Sequence, residues 1–159
     1  MHKIPNYLRL LSCTLPLIVV SVAFAQVGPQ PVTFETIGKH SSGGQREKQS
    51  YAITNKEEWQ SLWELVHTHV TPKPDLPEVD FSNRMVIAVF QGEQTSGGFA
   101  ITITDLLKNG KKLTAKVTEM TPGSSCGVTA ALTQPYHIIV TDKVRKVKFK
   151  VKREIKECP

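Results

Sequence analysis

Several side chains in this sequence have the chemical types that catalysis or metal binding uses. Cys126 is a thiol with His137 as a conceivable base, and Ser124, Ser125, His137 and Asp142 are the residue types of a hydrolase triad. His67 with His69, and Asp75 with Glu78 and Asp80, offer nitrogen and oxygen ligands. Each group falls short on its own terms. A cysteine nucleophile needs a thiolate in an accessible, electropositive pocket, and nothing beside Cys126 in the sequence supplies one. The serines lack the Gly-x-Ser-x-Gly elbow, and a triad is defined by geometry that spacing does not show. Residues two apart on a helix point to different sides, so His67 and His69 do not converge, and the acidic trio lacks the Asp-x-Asn-x-Asp alternation of a calcium loop. Ser41-Ser42-Gly43-Gly44 could cradle a phosphate, but no Lys-Ser/Thr and no helix start follow it, so it reads as a turn. The expectation is a protein without catalytic residues, metal or cofactor.

The cysteines carry a different message once the N-terminus is considered. Residues 1–25 read as a secretory signal: Lys3 and Arg9 without an acidic residue, an apolar stretch from Leu10 to Phe24, and Ala23-Phe24-Ala25 before a cleavage at Gln26. A retained anchor is disfavoured because Pro16 breaks a stretch already shorter than the roughly 20 residues a spanning helix needs. Lipidation at Cys13, in Leu10-Leu11-Ser12-Cys13, is disfavoured by the short apolar run before it, which contains Arg9. Export to a periplasmic or extracellular compartment leaves Cys126 and Cys158, where disulfides persist, and a bridge between them is expected. By the loop-entropy relation it would contribute on the order of 3 to 4 kcal/mol.

At 159 residues and 40% apolar, the chain suits one core and is too hydrophobic to remain disordered. Loss of Lys3 and Arg9 takes the formal charge from +6 to +4. The excess sits in Lys143, Arg145, Lys146, Lys148, Lys150, Lys152, Arg153 and Lys156. An exported chain does not ordinarily meet nucleic acid, so this stripe suits an acidic polymer, an anionic surface or an acidic partner protein; as a plain solvated strand it would instead discourage edge-to-edge aggregation. No membrane span is expected in the mature form, and the sequence leaves the oligomeric state open.

Residues 26–31 read as a mobile lead-in and 32–159 as a single domain. Val32 to Ile37 alternates as a half-buried strand, and Gln49 to Ile53 follows the Gly43-Gly44 turn as a second. Thr54 with Glu57, or Asn55 with Glu58, forms a capping box. Trp59, Leu62, Trp63 and Val66 then recur with helical spacing, so the two tryptophans read as core anchors, and Pro72 and Pro74 mark the stop. Met85 to Phe90 is a continuous apolar run, expected as a central strand covered on both faces. Gly92 to Gly98 reads as a hairpin turn into Phe99, Ile101 and Ile103, and Asn109-Gly110 as another before Leu113, Ala115 and Val117. Tyr136 to Thr141 and Val144 to Lys152 read as a final hairpin with Val147, Phe149 and Val151 inward. The fold class is α+β, mainly antiparallel β with about seven strands, sandwich-like or barrel-like, with one amphipathic helix packed on the sheet.

Four patches together resemble a known family. They are Glu58-Trp59-Gln60-Ser61-Leu62-Trp63, Val79-Asp80-Phe81, Gly92-Glu93-Gln94-Thr95-Ser96-Gly97-Gly98-Phe99 with Ile101 and Ile103, and Pro122 with Thr133-Gln134-Pro135-Tyr136-His137-Ile138-Ile139. Their order resembles the PrcB family of bacterial exported proteins, named for an accessory subunit of a surface protease complex, over roughly Thr54 to Val151. Phe99 departs from the Tyr more usual there. The resemblance implies a non-catalytic domain that binds and stabilises a protease or its precursor. The candidate partner-binding residues are Thr95, Ser96, Gly97, Gly98 and Phe99, together with Lys146, Lys148 and Lys150. Two alternatives stand beside it: a protease inhibitor acting through its hairpin loop, since the Gly-rich segment also looks a little like the loops of chagasin-type inhibitors, or a small structural or ligand-binding envelope domain unrelated to proteases.

Overall fold

The computed structural model describes residues 28–159, so the leader read at residues 1–25 lies outside the described residues. Among the described residues eight strands and one helix follow one another: β1 (Gln30–Val32), β2 (Glu35–His40), β3 (Gln49–Ile53), α1 (Lys56–Val66), β4 (Arg84–Phe90), β5 (Ala100–Asn109), β6 (Lys112–Pro122), β7 (Tyr136–Asp142) and β8 (Lys146–Lys156). They form two four-stranded sheets, ordered β1-β5-β6-β8 and β2-β7-β4-β3. All pairs are antiparallel except β6 with β8. The architecture is sandwich-like rather than a closed barrel, with α1 on the outer face of the second sheet.

Strand β4 explains the layering. Val86, Ala88 and Phe90 face α1, where they meet Trp59, Leu62, Trp63 and Val66. Met85, Ile87 and Val89 face the first sheet, where they meet Ile101, Ile103, Leu113, Ala115 and Val117. A strand buried on both faces has no polar alternation, which is why the run is apolar throughout. The helix starts at Asn55, whose side chain accepts from the Glu58 amide at 2.9 Å, the N-cap half of the later of the two expected boxes. Trp59 and Trp63 donate their indole N–H groups to the Pro77 and Pro74 carbonyls, both at 3.0 Å. Buried indoles need such partners, and here they tie the proline loop to the helix.

Two expected hairpins do not form. Strand β4 already has β3 and β7 on its two edges, so β5 cannot return beside it, and the segment from Gln91 to Phe99 crosses to the other sheet. Strand β7 is likewise flanked by β2 and β4, and β8 crosses over to pair in parallel with β6. Strands β2 and β3 occupy opposite edges of one sheet. Among the described residues only β5 and β6 make a hairpin, through Asn109 and Gly110, whose φ is +58°. The single strand expected from Val32 to Ile37 is broken near Thr33, where the chain changes sheets, and β1 begins at Gln30, inside the stretch read as a lead-in.

Candidate functional site

Three loops gather at one end of the sandwich, and the crossover of residues 91–99 is the middle one. Gln94 and Thr133 exchange both backbone hydrogen bonds, at 2.7 and 3.0 Å. The Gly97 amide donates to the Thr129 carbonyl at 2.9 Å, and the Thr133 hydroxyl donates to the Ser96 carbonyl at 2.8 Å. On the other side the Glu93 amide donates to the Arg46 carbonyl, and the Gln134 amide to the Ser41 carbonyl. The segment is therefore a laced surface rather than a free turn. Gly98 has φ +87°, and a Cβ there would stand 3.0 Å from both Pro122 Cβ and Val128 Cγ1. Only glycine satisfies both conditions without strain. Thr95 and Gly98 are exposed and Ser96, Gly97 and Phe99 half-buried, while the neighbouring loop exposes Val128 and Leu132. This end therefore presents hydroxyls, backbone and apolar side chains side by side.

Beneath this end lies a polar cluster that the sequence reading missed. Glu119, in β6, has a side chain only 6% exposed, held by Lys48 Nζ at one oxygen and by Arg153 Nε at 3.5 Å from the other. Gln91 lies in the same buried end and donates to the Met120 carbonyl at 3.2 Å. The signal was present in the alternation of β6: Leu113, Ala115 and Val117 point inward, and the same parity carries Glu119 inward. A carboxylate at an inward position requires partners, and they come from segments distant in sequence.

His137 is a structural group. Its Nδ1 accepts from the Ile103 amide at 2.9 Å, which places the proton on Nε2, where it donates to the Thr36 hydroxyl at 2.9 Å. The ring thus joins the two sheets. Burial, with a smaller contribution from Lys39, lowers its pKa to about 4, so it is neutral at pH 7. Both nitrogens are engaged, Ser125 Oγ donates to the Cys158 carbonyl, and Cys126 is bonded to Cys158, so the side chains of the paper triad and of the Cys–His pair do not converge. The bridge joins the 122–127 loop to the end of β8, with the cysteine Cα atoms 5.0 Å apart. His67 Nδ1 contacts the Trp63 carbonyl and its ring packs on Trp63. Asp80 accepts from the Ser82 hydroxyl, the Asn83 amide group and the Ser82 backbone, which lower its pKa and make the Val79-Asp80-Phe81 patch a turn into β4. Among the described residues, no three His, Cys, Asp or Glu side chains gather as a metal site.

The two interlocked patches, Gln94 to Phe99 and Thr133 to Ile139, lie on one contiguous stretch with β4 through β7. Residues 85–142 match the PrcB C-terminal family model. The resemblance read from the sequence therefore holds over that segment. Among curated proteins and solved structures, none matches the chain. The PrcB-like segment contains the crossover and its partner loop, but not β8 and not α1.

Outside the PrcB-like segment, β8 places Lys146, Lys148, Lys150 and Lys152 on the outer face of the first sheet. Register sets Lys146 beside Lys112 and Lys150 beside Lys116, with Thr114 and Thr118 beside Lys148 and Lys152. The result is a flat cationic face two strands wide. Lys116 approaches Asp105 at 3.7 Å and Lys152 approaches Glu154 at 2.8 Å, whereas Lys146, Lys148 and Lys150 make no ion pair among the described residues. On the inner face, Val147 and Phe149 are half-buried, but Val151 is 46% exposed, so the inward stripe expected for it ends before that residue. Among the described residues, no helix is long and apolar enough to cross a membrane.

Proposed function

We propose that this chain is an exported, non-catalytic binding domain that accompanies an extracytoplasmic protease, stabilising the enzyme or its precursor. The reading rests on one observation above the rest: the stretch that matches the PrcB C-terminal family is the stretch whose two most specific patches lock together at Gln94 and Thr133. That arrangement presents Thr95, Ser96 and Gly98 beside Val128 and Leu132 as one surface. The disulfide suits an oxidising compartment and fixes the loop that backs this surface. Lys146, Lys148 and Lys150 on the first sheet add attraction for an acidic partner and raise its association rate at low salt.

The test is capture from the envelope of the producing cell with the parent protein and with a Thr95→Arg, Ser96→Trp double variant, each checked for an unchanged melting temperature. The expected outcome is recovery of a protease by the parent and its loss with the variant, together with a longer protease half-life when the parent is present. Recovery of no protease, or equal recovery by both proteins, contradicts the reading.

A further inference from the structure

The four sheet edges are not treated alike. Strand β1 is three residues long and carries Pro31. Strand β2 has a register shift between Thr36 and Gly38, and carries Lys39. Strand β8 has a lysine at every second position from Lys146 to Lys152. Short length, proline, a bulge and lysines are the devices that stop an edge from pairing with another chain. Strand β3, Gln49-Ser50-Tyr51-Ala52-Ile53, has none of them: it is uncharged, lacks proline and pairs with β4 in unbroken register. Among the described residues no loop backbone bonds to its free edge.

Beside that edge lies a groove of about 600 Å³ between β3 and α1. Tyr51, Ile53, Leu62 and Leu65 supply its apolar surface, and Glu57, Glu58 and Ser61 its helical wall. On α1, Glu58, Ser61 or Leu62, and Leu65 recur with helical spacing, so the groove wall is a second stripe next to the one that holds the tryptophans. The two carboxylates stand in the first turn, just after the Ile53 end of the strand.

From these features we infer that β3 accepts an extended peptide as an added strand. Backbone hydrogen bonds to the free edge set its register, apolar side chains at alternate positions enter the groove, and a basic residue lies against Glu57 and Glu58. This is the logic of strand addition, in which the main chain gives affinity and alternate pockets give selectivity. A strand added at the ordinary spacing of about 4.8 Å sends every second side chain to the helix side. A second copy of this chain fits less well. Its own β3 side chains on that face, Tyr51 and Ile53, already pack against the core beneath its own helix, so none remains to fill the groove.

The probe is a fluorescein-labelled peptide, Lys-Val-Ser-Val-Ser-Leu with blocked ends, read by polarisation and by hydrogen exchange of the 49–53 amides. Saturable binding with slowed exchange in 49–53 is the expected result. N-methylation of alternate peptide nitrogens, in either phase, should weaken binding at least tenfold in one of the two phases. Ser61→Trp, which fills the groove from an exposed position, should do the same. Glu57→Lys with Glu58→Lys should reverse the preference from the Lys peptide to its Glu analogue. Absence of binding, binding without protection of 49–53, or indifference to both methylated peptides overturns the inference. Concentration-dependent dimerisation of the protein alone that protects the same amides overturns it in favour of a second copy. The outcome is independent of protease capture through Thr95 and Ser96, so either result can fail while the other stands.

Discussion

Lowering the pH should weaken this fold through His137 in a way that can be calculated. The imidazole is 3% exposed, and protonating Nδ1 would set an N–H against the Ile103 amide that now donates to it. Its pKa is lowered to about 4 in the folded chain, against an ordinary value near 6.5. The unfolded chain therefore binds the proton first as pH falls, and stability is full above 6.5, declines below it and levels off below 4. Linkage for one such group gives a loss of about 1 kcal/mol at pH 5.5, roughly 2 to 3 kcal/mol at pH 4.5 and about 3 kcal/mol in total. The assay is urea unfolding at pH 7.5, 6.5, 5.5 and 4.5 for the parent and for His137→Gln, which retains a donor and an acceptor but does not titrate. Subtracting one curve from the other removes whatever pH dependence the two proteins share. A difference that stays constant from pH 7.5 to 4.5 would falsify the reasoning, as would a measured His137 pKa above 6.

Trp63→Ala should cost about 3 to 5 kcal/mol, seen as a large fall in melting temperature, because it empties the helix–sheet core and strands the Pro74 carbonyl. Gly98→Val should cost roughly 1 to 3 kcal/mol in urea unfolding, given φ +87° and the crowding by Pro122 and Val128, whereas Ser96→Ala should leave stability within about 0.5 kcal/mol. Removing both Lys48 and Arg153 as methionines should destabilise by about 3 kcal/mol or more, since it leaves Glu119 charged and buried, while Glu119→Met should cost less. If the order of those two variants is reversed in denaturant midpoints, Glu119 is not the group whose burial matters.

The elements were legible because each one carries its own period. Helix α1 shows a 3.6-residue stripe with Asn55 before it, and β6 alternates cleanly from Leu113 to Val117. What failed was pairing. Gly92 to Gly98 does not close a hairpin because β3 and β7 take both edges of β4, and nothing in the apolar run from Met85 to Phe90 says which strands will be its neighbours. Local turn residues such as Gly97-Gly98 do not say whether the chain turns back or crosses over. Of the candidate site, the sequence picks out Thr95 to Phe99 and the lysine stripe. It does not show that Thr133 holds Ser96, that Lys112 and Lys116 extend the stripe, or that Lys48 and Arg153 converge on Glu119, since each joins residues whose proximity only the sheet topology creates.

The strand order also fixes the sequence in which the molecule can come together. Among the described residues only β5 and β6 pair through a tight local turn. Strand β2 must wait for β7, and β1 for β5, while β8 enters beside a strand that is not its predecessor. Pairings so distant along the chain carry a large closure cost and make assembly slow. A chain emerging N-terminus first therefore exposes the apolar run from Met85 to Phe90, with one flank open, until Tyr136 to Asp142 has followed it. Throughout that interval it is a target for chaperones and for aggregation, a liability that vanishes when β7 closes over it.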